Sequence, residues 1–219
     1  MKQETRADAA PTPELAIERE RMVATQIETR GAFDARVLAA LRRVPRHRFV
    51  AEELAGDAYA DCPLPIGSGQ TISQPFMVAV MTDLLRLRPG DRVLEIGTGC
   101  GYQSAVLAEL GARVFSIEVV PELAERARRT LAEMGYGQVT VVQGDGWQGL
   151  PAEAPFDRII VTAAPDRVPE ALVEQLAVGG RMVVPVGGAD QQLRLIEKTE
   201  QGVREEELFA VRFVPMIEG

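Results

Sequence analysis

Histidine occurs once in 219 residues, as His47, and cysteine twice, as Cys62 and Cys100. A structural zinc site takes four nitrogen or sulfur ligands, and these three residues show no ligand spacing, so no metal site is expected. Two isolated thiols suit a reducing compartment, which points to the cytoplasm. Positive charge is also in deficit: 24 Lys plus Arg stand against 32 Asp plus Glu, a formal charge of −8. Such a surface repels phosphate backbones at long range, so nucleic acid is not an expected partner. The one basic cluster, Arg42, Arg43, Arg46 and Arg48, reads as a solvated helix end. Long apolar runs are missing too. No stretch of about 20 residues escapes polar interruption, and the opening MKQETRADAAPTPE has no apolar region of the signal-peptide kind. Neither secretion nor a membrane partner is expected.

What is present fits one globular domain, 46% hydrophobic, which is expected to be a monomer. Residues 1–13 are polar and proline-bearing, the pattern of a mobile tail. Residues 14–60 favour helices, the first over 14–30 with Gly31 after it. Asp34 can cap a second helix whose Val37, Leu38, Leu41 and Val44 share a face, and Pro45 opens a third, shorter one. Residues 61–75 read as a loop, and 76–219 as a core. There, apolar runs such as RVLEIG, ARVFSIE, VTVVQGD, DRIIVTAA and GGRMVVPVG alternate with helical segments. Continuous apolar strands separated by helices mark a doubly wound, mostly parallel α/β sheet covered on both faces. The last two apolar segments alternate polar and apolar residues, as an antiparallel edge does.

RVLEIG runs straight into the glycine loop GTGCG, which contributes Gly97, Thr98, Gly99 and Gly101 before a helix begins. Glycines let the chain turn sharply and let a ligand approach the backbone. The next strand ends in Glu118, an acid placed to accept both hydroxyls of a ribose. Glu95 precedes Gly97 by two residues, at the expected mouth of the site. A carboxylate there would repel a dinucleotide pyrophosphate by a few kcal/mol at an effective dielectric of about 20. It would attract a cofactor bearing a sulfonium and an ammonium. Asp145, with the Gly146 N–H beside it, is placed to take an adenine amino group. Three acids around one pocket favour S-adenosylmethionine over a nicotinamide. Trp147 reads as packing rather than adenine stacking, Asp157 as a structural turn acid, and Cys100 as a space-filler.

No charged residue occurs from Cys62 to Thr82, although 26% of the chain is charged. Methylating an amine or hydroxyl calls for a base or dipolar acceptors, and no N-P-P-Y tetrad is present. A carboxylate acceptor needs no base, being ionised above a pKa of about 4. It needs orientation by neutral donors, which glycine-loop amides and the hydroxyls of Thr71 and Ser73 can supply. A lysine or arginine would pin it and oppose the cationic cofactor.

The strings AYADCPLPIGSGQTISQPFMVAVM and VLEIGTGCGYQSAVLAEL, with VFSIE, GDGWQG, FDRIIVTAA, GGRMVVPVG and RFVPM, closely resemble the protein-L-isoaspartate O-methyltransferase family. The resemblance covers nearly everything after the tail. It implies a Rossmann-like class I methyltransferase with a seven-stranded sheet. It implies methyl transfer from S-adenosylmethionine to the free α-carboxylate of L-isoaspartyl residues in damaged proteins and peptides. The ester would then collapse unaided to a succinimide whose hydrolysis returns some aspartate. By motif match Ser73 falls on the family's active-site serine, and Thr71, Ile72 and Val214 on segments that line its peptide groove. One departure is Phe76, where many relatives carry histidine. Methylation of a small carboxylic acid is the alternative to the repair reaction. A nicotinamide oxidoreductase or a cofactor-binding module without turnover would be the outcome if the site readings failed.

Overall fold

The computed structural model describes residues 13–219, so the expected tail lies outside the described residues but for Pro13. Helix α1 (Pro13–Met22) runs on through a π-helical turn (Val23–Ile27) and a 3-10 turn to Arg30. Asp34 starts α2 (Ala35–Arg43): its carboxylate accepts the Arg36 N–H at 2.8 Å. The paired Arg36 guanidinium holds that carboxyl below its usual pKa. Val37, Leu41 and Val44 are buried and Leu38 packs against them, as the spacing predicts.

The arginine cluster is a solvated end only in part, with Arg43 and Arg48 exposed and Arg42 half-buried. Arg46 opens the 3-10 turn Arg46–Phe49 and points inward, wholly buried. Its Nε donates to the Ala58 carbonyl at 2.8 Å, and its guanidinium carbon lies 5.0 Å from the Tyr102 ring centroid. Burial pushes its pKa below the usual value. Arg42 pairs with Glu20 and Glu28, and Arg43 with Glu109. The turn after Pro45 reverses the side-chain direction, which a linear count of charges misses.

The segment read as a loop is a hairpin: β1 (Leu64–Gly67) pairs antiparallel with β2 (Gln70–Ile72). Leu64, Ile66 and Ile72 turn inward while Pro65 and Thr71 face out, a period of two too short to stand out in the sequence. Helix α3 (Pro75–Leu85) follows at once, with proline in its first turn.

The core then alternates as expected: β3 (Arg92–Ile96), α4 (Tyr102–Glu109), β4 (Arg113–Glu118), α5 (Pro121–Glu133), β5 (Thr140–Gln143) and β6 (Phe156–Val161). A short α6 (Glu170–Gln175) comes ahead of β7 (Leu176–Gly187), β8 (Gln191–Thr199) and β9 (Gly202–Val211). The sheet order is β5-β4-β3-β6-β7-β8-β9. Strands β3 to β7 pair in parallel, and β8 and β9 add an antiparallel edge. Val93 packs into the cluster shared with α3, α4 and α5, whereas Leu94 and Ile96 pack into the cluster holding Leu172 of α6. Helices therefore cover both faces. Strand order reverses at β3, between β4 and β6, and such a switch point opens a crevice at the carboxyl ends of the strands. Among the described residues no helix is long and apolar enough to cross a membrane.

Beyond β9 the chain returns across those carboxyl ends. The Ala164 N–H donates to Val214 O and the Met216 N–H to Ala164 O, each at 2.8 Å.

Candidate active site

Two adjoining cavities occupy the crevice. The first, about 550 Å³, is bounded by Gln70, Thr71, Gly97, Gly99, Glu118, Gly146, Thr162 and the returning segment from Val214 to Ile217. The second, about 340 Å³, is bounded by Thr71, Ile72, Ser73, Thr98, Cys100, Tyr102 and Gln103. Thr71, Gly97, Gly99 and Thr162 belong to both walls. The structure thus brings the glycine loop, Glu118 and the whole T-I-S triplet into one crevice, with Val214 across from them.

Local geometry explains the residue types. Gly97 has φ +92°, and a Cβ there would lie 2.5 Å from Thr162 Oγ1, so only glycine fits. Thr162 Oγ1 donates to the Gly97 carbonyl at 2.7 Å, bracing the loop from β6. Gly101 starts α4, and a Cβ on it would press on Leu131 of α5 at 3.1 Å. Thr98 shares a 2.6 Å hydrogen bond with Ser116. Glu118, buried at the end of β4, accepts the Gly99 N–H at 2.7 Å and the Val120 N–H at 3.0 Å. Among the described residues its carboxylate is the only charge on the wall of the first cavity. No charged side chain lines the second cavity, and Ser73 Oγ makes no hydrogen bond among the described residues.

Two of the three acids stand elsewhere than expected. Glu95 is not at the mouth. Strand alternation turns it to the α4 face together with Val93, where it is wholly buried beneath the glycine loop. The Ser104 hydroxyl donates to its Oε2, while Oε1 has no partner among the described residues. Burial raises its pKa to about 7, with the nearby Glu118 adding to the rise and hydroxyls of Ser104 and Ser116 opposing it. Asp145 lies on a separate outer cavity with Trp147 and Arg167, and its Oδ1 accepts the Trp147 N–H at 2.9 Å. Gly219 lies against it, since a Cβ on that glycine would sit 3.1 Å from Asp145 Cβ. Asp145 and Gly219 thus share the outer cavity, while Gly146 lines the first. Trp147 is half-buried, with Arg167 over its ring at 5.3 Å. Asp157 is a structural acid, as read, accepting the Arg92 N–H at 2.8 Å. Cys100 is buried, which pushes its thiol pKa up and leaves it inert.

Sequence reasoning missed Thr162, Gln70 and Met216. For Thr162 a signal existed: it ends the apolar run IIVT, where a parallel strand delivers its last side chain to the crevice.

A sheet reversed at β3, a glycine loop after that strand and an acid at the tip of the next make a nucleoside site of the Rossmann kind, and seven strands with an antiparallel edge give it the form of a class I S-adenosylmethionine-dependent methyltransferase. The model of the family protein-L-isoaspartate(D-aspartate) O-methyltransferase (PCMT) matches residues 17–219, and the chain belongs to that family. The protein-L-isoaspartate O-methyltransferase of Gloeobacter violaceus is 56% identical over 197 residues, 89% of this chain and 96% of its own. That of Picosynechococcus sp. is 54% identical over 209 residues, 95% and 94% of the two chains. A solved protein-L-isoaspartate O-methyltransferase superposes with a TM-score of 0.83 at 30% identity, over 90% of this chain and 65% of that one. A Plasmodium falciparum PCMT in complex with S-adenosyl-L-homocysteine gives 0.81 at 25% identity, over 92% and 99%. The nicotinamide and small-acid alternatives are not favoured.

Proposed function

We propose that this protein methylates the free α-carboxylate of L-isoaspartyl residues in damaged proteins and peptides, as a repair enzyme whose ester product collapses to a succinimide. The observation that carries the reading is the family match over residues 17–219, and the pairing of cavities fits it: among the described residues one has a single carboxylate on its wall and the other no charged side chain. S-adenosylmethionine, when bound, supplies a methyl group on a positively charged sulfur. Glu118 would hold its ribose hydroxyls, with Gly97, Thr98 and Gly99 giving backbone approach. Gly146 would meet the adenine side. Gly101 shapes the loop from behind, and Glu95 supports it from beneath.

On the acceptor side, Ser73 Oγ–H and backbone N–H groups would hold the substrate carboxylate without a counter-charge that would blunt its nucleophilicity. Thr71, Ile72 and Val214 would line the peptide's path and exclude water. Residues 14–219 would act as a single catalytic domain in the cytoplasm, where free Cys62 and Cys100 are at home. The exposed edge strand β9 carries Glu205, Glu206 and Glu207, like charges that disfavour pairing with a second copy and support a monomer.

The direct test is methyl transfer from labelled S-adenosylmethionine to an isoaspartyl peptide and to its aspartyl counterpart. Only the former should be labelled; equal labelling of both would defeat the repair reading. Glu118→Gln keeps the side chain's shape but loses the charge on its hydrogen bonds. It is expected to raise the cofactor Kd about tenfold by calorimetry, with an unchanged far-ultraviolet spectrum. Unaltered affinity would move the ribose elsewhere.

A further inference from the structure

The N–H groups in the first turn of a helix have no partner within it. At α3 the capping residue Gln74 makes no side-chain cap bond. The acceptor comes from farther back in the chain. Asp61 Oδ1 takes the Phe76 N–H at 3.0 Å, and its Oδ2 takes Gln74 Nε2 at 3.2 Å. The same Oδ2 receives Arg30 Nη1 at 2.6 Å. The Arg30 guanidinium lies on the Phe76 ring, 3.4 Å from its centroid, and Phe33 meets that ring edge-on at 6.1 Å. Phe76 thus gives Arg30 an aromatic face, a cation–π contact that reinforces the ion pair.

One carboxylate therefore closes the base of the hairpin. Asp61 stands just ahead of β1, and the groups it holds stand just after β2. Ser73 lies between Ile72, the end of β2, and Gln74, so the clamp brackets its backbone. We propose that Asp61, held in turn by Arg30, is a positioning residue that fixes Ser73 at the second cavity. The inference rests on Ser73 serving at the reacting centre.

The test is a four-variant cycle of wild type, Asp61→Ala, Ser73→Ala and the double variant, assayed with an isoaspartyl peptide and labelled S-adenosylmethionine. Asp61→Ala should lower kcat about tenfold, while the Kd for S-adenosyl-L-homocysteine stays within about twofold. On the Ser73→Ala background the same change should cost no more than about twofold, because the residue it positions is gone. Asp61→Asn keeps an oxygen for the Phe76 N–H and should recover part of the kcat. An equal loss on both backgrounds would overturn the clamp and leave Ser73 standing. Full activity in Ser73→Ala would remove the serine from the site, and the clamp with it. Should Asp61→Ala fail to fold, Arg30→Gln takes its place, since Arg30 is exposed at the surface. It should lower kcat about threefold with Ser73 present and leave the Ser73→Ala background unchanged; no loss would overturn the proposal.

Discussion

Ser73→Ala should lower kcat/KM for an isoaspartyl peptide by about 10–150-fold, the loss of one hydrogen bond to a charged group worth about 1.5–3 kcal/mol. The size follows from the cavity around it. Among the described residues its wall carries neutral groups only, so no lysine or arginine on that wall takes over when the hydroxyl is removed. Arg46, a buried cation, lies with its guanidinium carbon 5.0 Å from the ring centroid of Tyr102, a residue of this wall. Ser73 lines that cavity, where its hydroxyl can turn toward a ligand. The fold should be unaffected, and the Kd for S-adenosyl-L-homocysteine should not move. Steady-state kinetics with calorimetry on the same preparation check both halves. A variant as active as wild type would show that the carboxylate is held by other donors.

Local pattern accounts for what could be read before the structure. The apolar runs of β3, β4 and β6 and the glycine loop are each contiguous, so the parallel sheet and Glu118 both follow from neighbouring residues. Features set by distant parts of the chain do not show this way. Arg46 looks solvated among arginines until the turn after Pro45 folds it under Ala58 and Tyr102. The β1–β2 hairpin hides because Leu64, Ile66 and Ile72 are its only inward side chains. Asp61 caps a helix that begins beyond the hairpin, and Gly219 reaches Asp145 from the far end of the chain. Glu95 is the instructive case. Its distance from Gly97 was read correctly, but a strand offers two faces, and spacing from a loop does not say which one a side chain takes.

That face gives Glu95 the second large effect. Its carboxyl has a folded pKa of about 7 against a reference of 4.5, chiefly because burial disfavours the charged form. A carboxyl whose pKa is raised by folding binds more protons in the native state between those two values. Stability then falls as pH climbs from 4.5 and levels off above 7, by about 3 kcal/mol in all. Glu95→Gln keeps an oxygen for the Ser104 hydroxyl and cannot ionise. It should therefore match wild type near pH 4.5 and exceed it by about 3 kcal/mol at pH 8, as read from urea unfolding at the two pH values. A gap of the same size at both would show that Glu95 does not titrate as a buried acid. Glu95 is held through Ser104 of α4, the helix that follows the glycine loop, and a carboxylate there at pH 8 is expected to favour a sulfonium over the neutral sulfur left after transfer. The same variant should bind S-adenosylmethionine more weakly than wild type at pH 8, while S-adenosyl-L-homocysteine affinity changes less. Equal losses for the two ligands would mean that Glu95 shapes the loop without acting through its charge.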